Sequence, residues 1–235
     1  MAAELPAITI LPVPFSPGQV LIALAVLIPA LVIFNLLLIS EEVFESIGFG
    51  FCQAMLMTAG ALLGSLFNIP LIPVDNAVIA INVGGAAIPL FVTIEMVARN
   101  RISLKKTLAA TFIVSIVAYA FATPVPGLGI TMPFYIPPLA GAATGLLLAR
   151  GCRTAPELAY AGGTMGTLLG ADILNLANPA VLAMLVGGKT TVLSIGGAGI
   201  FDGIFITGVL SVLLAGYAGR RLREKAGVCP QEMRG

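Results

Sequence analysis

The sequence predicts an all-α, polytopic membrane helix bundle of about seven transmembrane helices, with segments interrupted by glycine and proline. Three observations lead to this fold class. Of the 235 residues 58% are hydrophobic and only 10% are charged, and the mean hydropathy is +1.05. Apolar runs near the ~20 residues that cross about 30 Å of hydrocarbon recur along the chain. We therefore expect a single integral membrane domain covering residues 1–235.

Seven apolar runs are long enough to be predicted as membrane spans. They cover residues 17–39, 47–67, 77–98, 106–123, 134–150, 156–176 and 192–219. The apolar piece from Pro179 to Val186 is too short to cross, so we expect a re-entrant or interfacial turn there. Proline and glycine breaks in such runs are tolerated where the backbone is buried in protein or lines water.

Basic residues predict the orientation of these spans. They cluster in residues 99–106, 150–153 and 220–225, which fall on one side of the seven-span arrangement. By the positive-inside rule that side is cytoplasmic. We expect an inner (plasma) membrane protein with an extracytoplasmic N-terminal segment, residues 1–16, and a cytoplasmic basic tail, residues 220–235.

The composition also narrows the chemistry. Histidine is absent, and the three cysteines have no zinc-site spacing. We expect no metal and no cofactor. The net charge of +1 gives no general affinity for nucleic acid. The expected partners are the lipid bilayer and either a transmembrane helix substrate or a small solute, and the sequence sets no oligomeric state.

Two aspartates in glycine-rich apolar stretches are the best functional clue. Asp172 lies in Gly-Ala-Asp-Ile-Leu-Asn, and Asp202 lies in Gly-Ile-Phe-Asp-Gly. An acid at membrane depth costs at least ~2.5 kcal/mol on insertion scales, so it usually marks a site. The two occupy consecutive predicted helices and can meet if the second helix begins near Gly196. Asp202 is the stronger candidate, because Gly199 and Gly203 leave room beside it.

Three functions fit these residues. Two adjacent acids share a proton and act as base and acid, as in aspartyl proteases, which makes an intramembrane aspartyl-protease-like activity the first hypothesis. The alternative is a proton- or cation-coupled small-solute transporter, in which Asn68, Asn82 and Asn175 supply neutral ligands. A non-enzymatic membrane scaffold held by small-residue packing is the third.

An internal repeat favours the transporter. Residues 81–88, Ile-Asn-Val-Gly-Gly-Ala-Ala-Ile, are echoed by residues 193–200, Leu-Ser-Ile-Gly-Gly-Ala-Gly-Ile. Repeated halves with interrupted helices are typical of transporters, whose site lies at the repeat interface.

Longer motifs resemble a prokaryotic multi-pass family known as domain of unknown function 1614. They are Asn68-Ile-Pro-Leu71, Ile81 to Ala86, Gly163 to Leu176 and Gly196 to Gly208. The resemblance spans most of the chain and implies a multi-pass membrane protein, but the family name assigns no activity.

Asp172 and Asp202 also resemble the catalytic pair of the presenilin and signal peptide peptidase group, whose two aspartates lie on consecutive membrane helices. That resemblance implies proteolysis within the membrane. Phe201 stands where the group has the glycine directly before the second acid, and Ala171 stands where it has a tyrosine before the first.

Overall fold

The computed structural model describes residues 17–74, 77–149, 154–186, 191–197 and 203–226. The chain divides into two compact units, Met1–Leu38 and Ile39–Gly235. The first helix, α1 (Pro17–Ser46), begins in the first unit, and its residues from Ile39 onward belong to the second. Every other described element belongs to the second unit.

Helices make up most of the described residues. After α1 they are α2 (Phe51–Gly64), α3 (Ile88–Ala98), α4 (Leu104–Phe121), α5 (Ile136–Leu148), α6 (Ala155–Thr167), α7 (Leu174–Leu176), α8 (Pro179–Val186) and α9 (Gly203–Ala226). Two π-helical segments have wider turns: π1 (Val83–Ala87) leads into α3, and π2 (Leu168–Ile173) joins α6 to α7. Such turns occur frequently at functional sites.

Five short strands accompany the helices. They are β1 (Asn68–Val74), β2 (Ala77–Asn82), β3 (Thr123–Val125), β4 (Gly129–Thr131) and β5 (Thr191–Ile195). β1, β2 and β5 form a sheet in that order, with β1 antiparallel and β5 parallel to β2. β3 and β4 form a separate antiparallel pair. The sheet therefore joins two regions of the chain that are more than a hundred residues apart.

The all-α prediction was wrong for the segments that form this sheet. The predicted span 77–98 consists of β2, π1 and α3, and the predicted span 192–219 begins with β5 instead of a helix. Isoleucine, valine and threonine, which favour strands, are frequent in both strands. Hydropathy does not distinguish a short buried strand from a buried helix, so it predicts a single helix for each of these runs.

Seven spans are not confirmed. In the described part of the chain, two helical segments are long and apolar enough to cross a membrane, namely α4 and Gly203–Arg221 of α9, each with a mean hydropathy of 1.5. A third candidate joins α6 through α7 to α8, with a bend of 80° between them. The spans predicted at 47–67 and 134–150 contain helices of only 14 and 13 residues. The short piece predicted as a turn is α8, which follows the bend.

Small residues bring the helices around α6 into close contact. A Cβ at Gly166 would lie 2.5 Å from the Cβ of Val114 on α4, and a Cβ at Gly145 of α5 would lie 2.6 Å from the backbone nitrogen of Ala159 on α6. Glycine at such positions lets helix backbones approach closely. These two glycines therefore permit the close approach of α4 and α5 to α6.

Contacts along α6 fix the directions of its neighbours. Gly162 and Gly166 of α6 and Gly170 of π2 approach Ala110, Val114 and Ser115 of α4 in the same order, so α6 and α4 run parallel. On α9, Gly208 approaches Tyr160, whereas Ile204 shares a buried cluster with Leu168, so α9 runs antiparallel to α6. Lys106 near the start of α4 and Arg220 near the end of α9 therefore lie at the same end of the bundle. The basic residues near the start of α4 and near the end of α9 thus lie at one end of the bundle, while residues 1–16, Arg150 and Arg153 lie outside the described residues. The predicted orientation in the membrane stays a prediction.

Candidate functional site at the end of strand β5

Asp172 lies on π2, and its side chain binds the end of β5. Its Oδ2 accepts a hydrogen bond of 2.7 Å from the backbone N–H of Gly196, the residue that follows the strand. Gly196 has a φ of +97°, a conformation that favours glycine. The turn after β5 thus directs a backbone donor at the one acidic side chain of π2, which is itself half-buried.

The same turn packs against π1. A Cβ at Gly196 would lie 2.7 Å from the backbone nitrogen of Ala86 and 2.9 Å from the carbonyl carbon of Gly85. Ala86, Leu168 and Ile204 form one buried cluster, with Ile195 packed against it. The two π-helical segments, π1 and π2, therefore meet the end of β5 beside Asp172.

Asn175, predicted as a ligand, donates hydrogen bonds to the π-helical segment. Its Nδ2 donates hydrogen bonds to the backbone oxygens of Ala171 at 2.9 Å and Gly170 at 3.3 Å, and the residue is 4% exposed. A buried side-chain donor that bonds to backbone oxygens stabilises the segment that contains them. The nitrogen of this amide is thus used inside the segment that carries Asp172.

Asn68 and Asn82 are brought together in a hydrogen-bond network across the sheet. Asn82 is fully buried, and its Nδ2 donates to the backbone oxygen of Ser65 at 2.8 Å and to Asn68 Oδ1 at 3.2 Å. Its Oδ1 accepts from the backbone N–H of Gly85 at 2.8 Å. Ser194 Oγ donates to Asn68 Oδ1 at 2.7 Å. The network therefore ties β1, β2 and β5 together two residues before Gly196.

The repeat seen in the sequence has a structural counterpart. β2 and β5 are its two strands, and they pair in parallel with Ile81 beside Ile195. This register is shifted by two residues from the sequence echo, which aligns Ile81 with Leu193. The glycine that follows each strand touches the end of an earlier helical segment: Gly84 approaches the backbone nitrogen of Ser65, and Gly196 binds Asp172.

Sequence reasoning missed Ser65, Ser194 and the N–H of Gly196 as members of this region. The repeat was the signal that pointed to the last two, since both lie in its second copy. The second predicted acid, Asp202, and Gly199 lie outside the described residues. Gly203 is exposed at the start of the described part of α9, with no atom within 4 Å of a Cβ placed there. The pairing of the two aspartates therefore stays a prediction.

The hydrogen bond from Gly196 leaves one oxygen of Asp172 able to bind a proton. One carboxylate oxygen is held by a backbone donor, which stabilises negative charge. The other oxygen, Oδ1, can bind a proton without breaking that hydrogen bond. Asp172 is therefore placed to exchange a proton at a junction of interrupted segments.

Comparison with known proteins gives one match. A family model described as "Protein of unknown function (DUF1614)" matches residues 51–214. No curated protein and no solved structure matches the chain. The comparisons thus agree with the first resemblance found in the sequence and give no support to the presenilin-like one.

Proposed function

The chain belongs to the DUF1614 family, whose description assigns no activity, and we propose that it is a proton-coupled carrier of a small solute across a membrane. The observation that carries the proposal is the hydrogen bond from the N–H of Gly196 to Asp172, which joins the end of β5 to π2. Asp172 is the group that takes up and releases the proton.

The position of Asp172 supports a functional role. It lies on π2, within the candidate span that runs from Ala155 to Leu176 and then bends by 80° into α8. An ionisable group in such a segment is costly, and it is usually kept for a proton or ion pathway. Interrupted backbone at this depth is tolerated where it is buried in protein or lines a wet cavity.

The immediate partner of Asp172 favours a proton over a metal cation. The group facing Oδ2 is a backbone N–H, which repels a cation and attracts negative charge. Cation sites in proteins are instead built from several oxygens, such as carbonyl and carboxylate groups. A carboxyl that gains and loses a proton on Oδ1 keeps its bond to Gly196 in both states.

The repeated strand ends favour a carrier. Carriers often contain internal repeats and place their site where interrupted helices of the two halves meet. In this chain one repeat consists of β2 and π1, and the other consists of β5 and the start of α9. Each contributes a residue to the buried cluster that includes Leu168: Ala86 comes from the first repeat and Ile204 from the second. Movement of one half against the other would change which side of the membrane Asp172 faces.

The test uses the purified full chain in lipid vesicles that contain a pH-sensitive dye. Amino acids, sugars, carboxylates and monovalent cations are added outside in turn, and proton movement is recorded. At least one solute should drive proton movement that is lost in Asp172→Asn and kept in Glu45→Gln, whose acid is exposed. Absence of solute-driven proton movement for the whole panel, or full activity of Asp172→Asn, would reject the proposal.

A second candidate is an aspartyl-protease-like activity within the membrane. One observation favours it: Ile204, two residues after Asp202 in the sequence, shares a buried cluster with Leu168, four residues before Asp172. The test is cleavage of a single-span helical substrate in vesicles. A protease should lose cleavage in both Asp172→Asn and Asp202→Asn with its helical content unchanged, and cleavage retained by either variant would exclude it.

A further inference from the structure

A cavity of about 560 Å³ lies at the basic end of the bundle, where α3 turns into α4. The bundle directions place it at the opposite end of α6 from Asp172. Its polar lining includes two cationic side chains, Arg101 and Lys106, and three neutral ones, Asn100, Ser103 and Thr154. The described lining residues thus include two cations and no carboxylate.

Arg101 forms the rigid part of this wall. Its Nη1 donates a hydrogen bond of 2.8 Å to the backbone oxygen of Ile47, and its guanidinium lies 5.4 Å from the ring centre of Phe49. Glu157, at the start of α6, interacts with it electrostatically but does not line the cavity. The charge of Arg101 is therefore fixed in place by the loop between α1 and α2.

The start of α4 forms another part of the wall. Ser103 precedes the helix, and its side chain makes no capping hydrogen bond. The first backbone N–H groups of a helix have no partner within the helix and favour anions. Ser103, Leu104 and Lys106 all line the cavity, so backbone donors and a lysine accompany Arg101 there.

An exposed apolar stripe runs from the cavity along α4. Leu104 lines the cavity and is 56% exposed, and Leu108 and Phe112 follow it at intervals of four residues with 60% and 65% exposure. Residues four apart lie on one face of a helix. α4 is also one of the candidate spans. The polar basic cavity thus continues directly into an apolar stripe that is about 12 Å long at a rise of 1.5 Å per residue.

We propose that this cavity binds the phosphate headgroup of an anionic phospholipid, whose acyl chains lie along Leu104, Leu108 and Phe112. Arg101, Lys106 and the first backbone N–H groups of α4 bind the phosphate. The apolar stripe on α4 contacts the acyl chains. Basic pockets between membrane helices bind anionic headgroups in this way. The site is separate from Asp172, so its failure would leave the proposed transport function standing.

The experiment measures lipid binding to the purified full chain in detergent by native mass spectrometry. The probes are phosphatidylglycerol, phosphatidylcholine with the same acyl chains, and inorganic phosphate. Phosphatidylglycerol should bind one to one and about tenfold more tightly than phosphatidylcholine, and inorganic phosphate at equal concentration should not displace it. Lys106→Gln should weaken phosphatidylglycerol binding about fivefold, in line with the contribution of one basic residue near a membrane surface.

The matched control is Lys105→Gln. Lys105 is adjacent on the same first turn and has the same charge, but it does not line the cavity. A second variant, Ser103→Phe, fills the cavity without a change of charge and should also weaken binding, while Arg101 is left intact because it anchors the loop at Ile47. Equal binding of the two lipids, displacement by inorganic phosphate, or equal effects of Lys105→Gln and Lys106→Gln would overturn the proposal.

Discussion

Asp172 and Gly196 are 24 residues apart in the chain and are joined by a hydrogen bond of 2.7 Å from the backbone N–H of Gly196 to Asp172 Oδ2. The bond links a π-helical segment to the end of a strand that pairs in parallel with an earlier, similar strand. It connects the one acidic side chain of π2 to the point where the two similar regions meet. The role proposed for Asp172 therefore depends on the conformation of the turn after β5.

Gly196→Ala should disrupt this turn and abolish solute-driven proton movement. Its φ of +97° costs a residue with a side chain about 1–2 kcal/mol, and the new Cβ would lie 2.7 Å from the backbone nitrogen of Ala86. The control is Gly127→Ala, whose φ is +76° but whose Cβ has no neighbour within 4 Å. Both variants should lose unfolding free energy, and only Gly196→Ala should lose transport. Equal transport by the two would show that the turn is not part of the site.

Asn175→Leu should destabilise the segment that carries Asp172. The substitution leaves the buried oxygens of Gly170 and Ala171 without their side-chain donor, which should lower the unfolding free energy by about 1–3 kcal/mol. Asn178→Leu is the control, because the side chain of Asn178 accepts an exposed hydrogen bond from the N–H of Ala180. Its loss should be about 1 kcal/mol or less. The comparison is made by denaturant unfolding in mixed micelles, and a smaller loss for Asn175→Leu than for Asn178→Leu would contradict the assigned role.

Gly170→Ala should weaken the contact between α4 and π2. The new Cβ would overlap the backbone oxygen of Ser115 and lie 2.9 Å from the Cβ of Ala118, so the two segments must separate, at a cost of about 1–3 kcal/mol. Gly216→Ala on α9 meets no atom within 4 Å and should raise stability by about 0.5–1 kcal/mol, because alanine is the better helix former. The two changes are chemically identical, but the midpoint of thermal unfolding should shift in opposite directions for them. A shift in the same direction for both would mean that α4 and π2 are not in close contact.

The sequence predicted Asp172 as a site residue but not its partner. An isolated acid in an apolar glycine-rich stretch is visible from composition alone, because its cost in a membrane is high. The N–H of Gly196 was not predicted, because the donor is a backbone group whose direction depends on β5. The residues of β5, Thr-Val-Leu-Ser-Ile, fall mostly within a long apolar run that hydropathy assigns to a helix.

The asparagines likewise show that the sequence indicates a polar residue but not its hydrogen-bond partners. Asn68, Asn82 and Asn175 were predicted as neutral ligands from their presence in apolar segments. In the fold their side chains bond to one another or to nearby backbone groups, as in the bond from Asn82 to the oxygen of Ser65. Such pairing depends on strand register and on the wide turn of π2, and neither is encoded in residue type or spacing. The small-residue contacts of α6 were predictable, because glycine spacing on a helix face is a local property.

The central claim is that Asp172 takes up and releases a proton, and infrared difference spectroscopy of the chain in lipid vesicles tests it most directly. A step from high to low pH should produce a carboxylic acid C=O band that is lost in Asp172→Asn and kept in Glu45→Gln, in which an exposed acid is replaced. An identical band in wild type and Asp172→Asn would contradict the claim, because the proton would then be carried by another group.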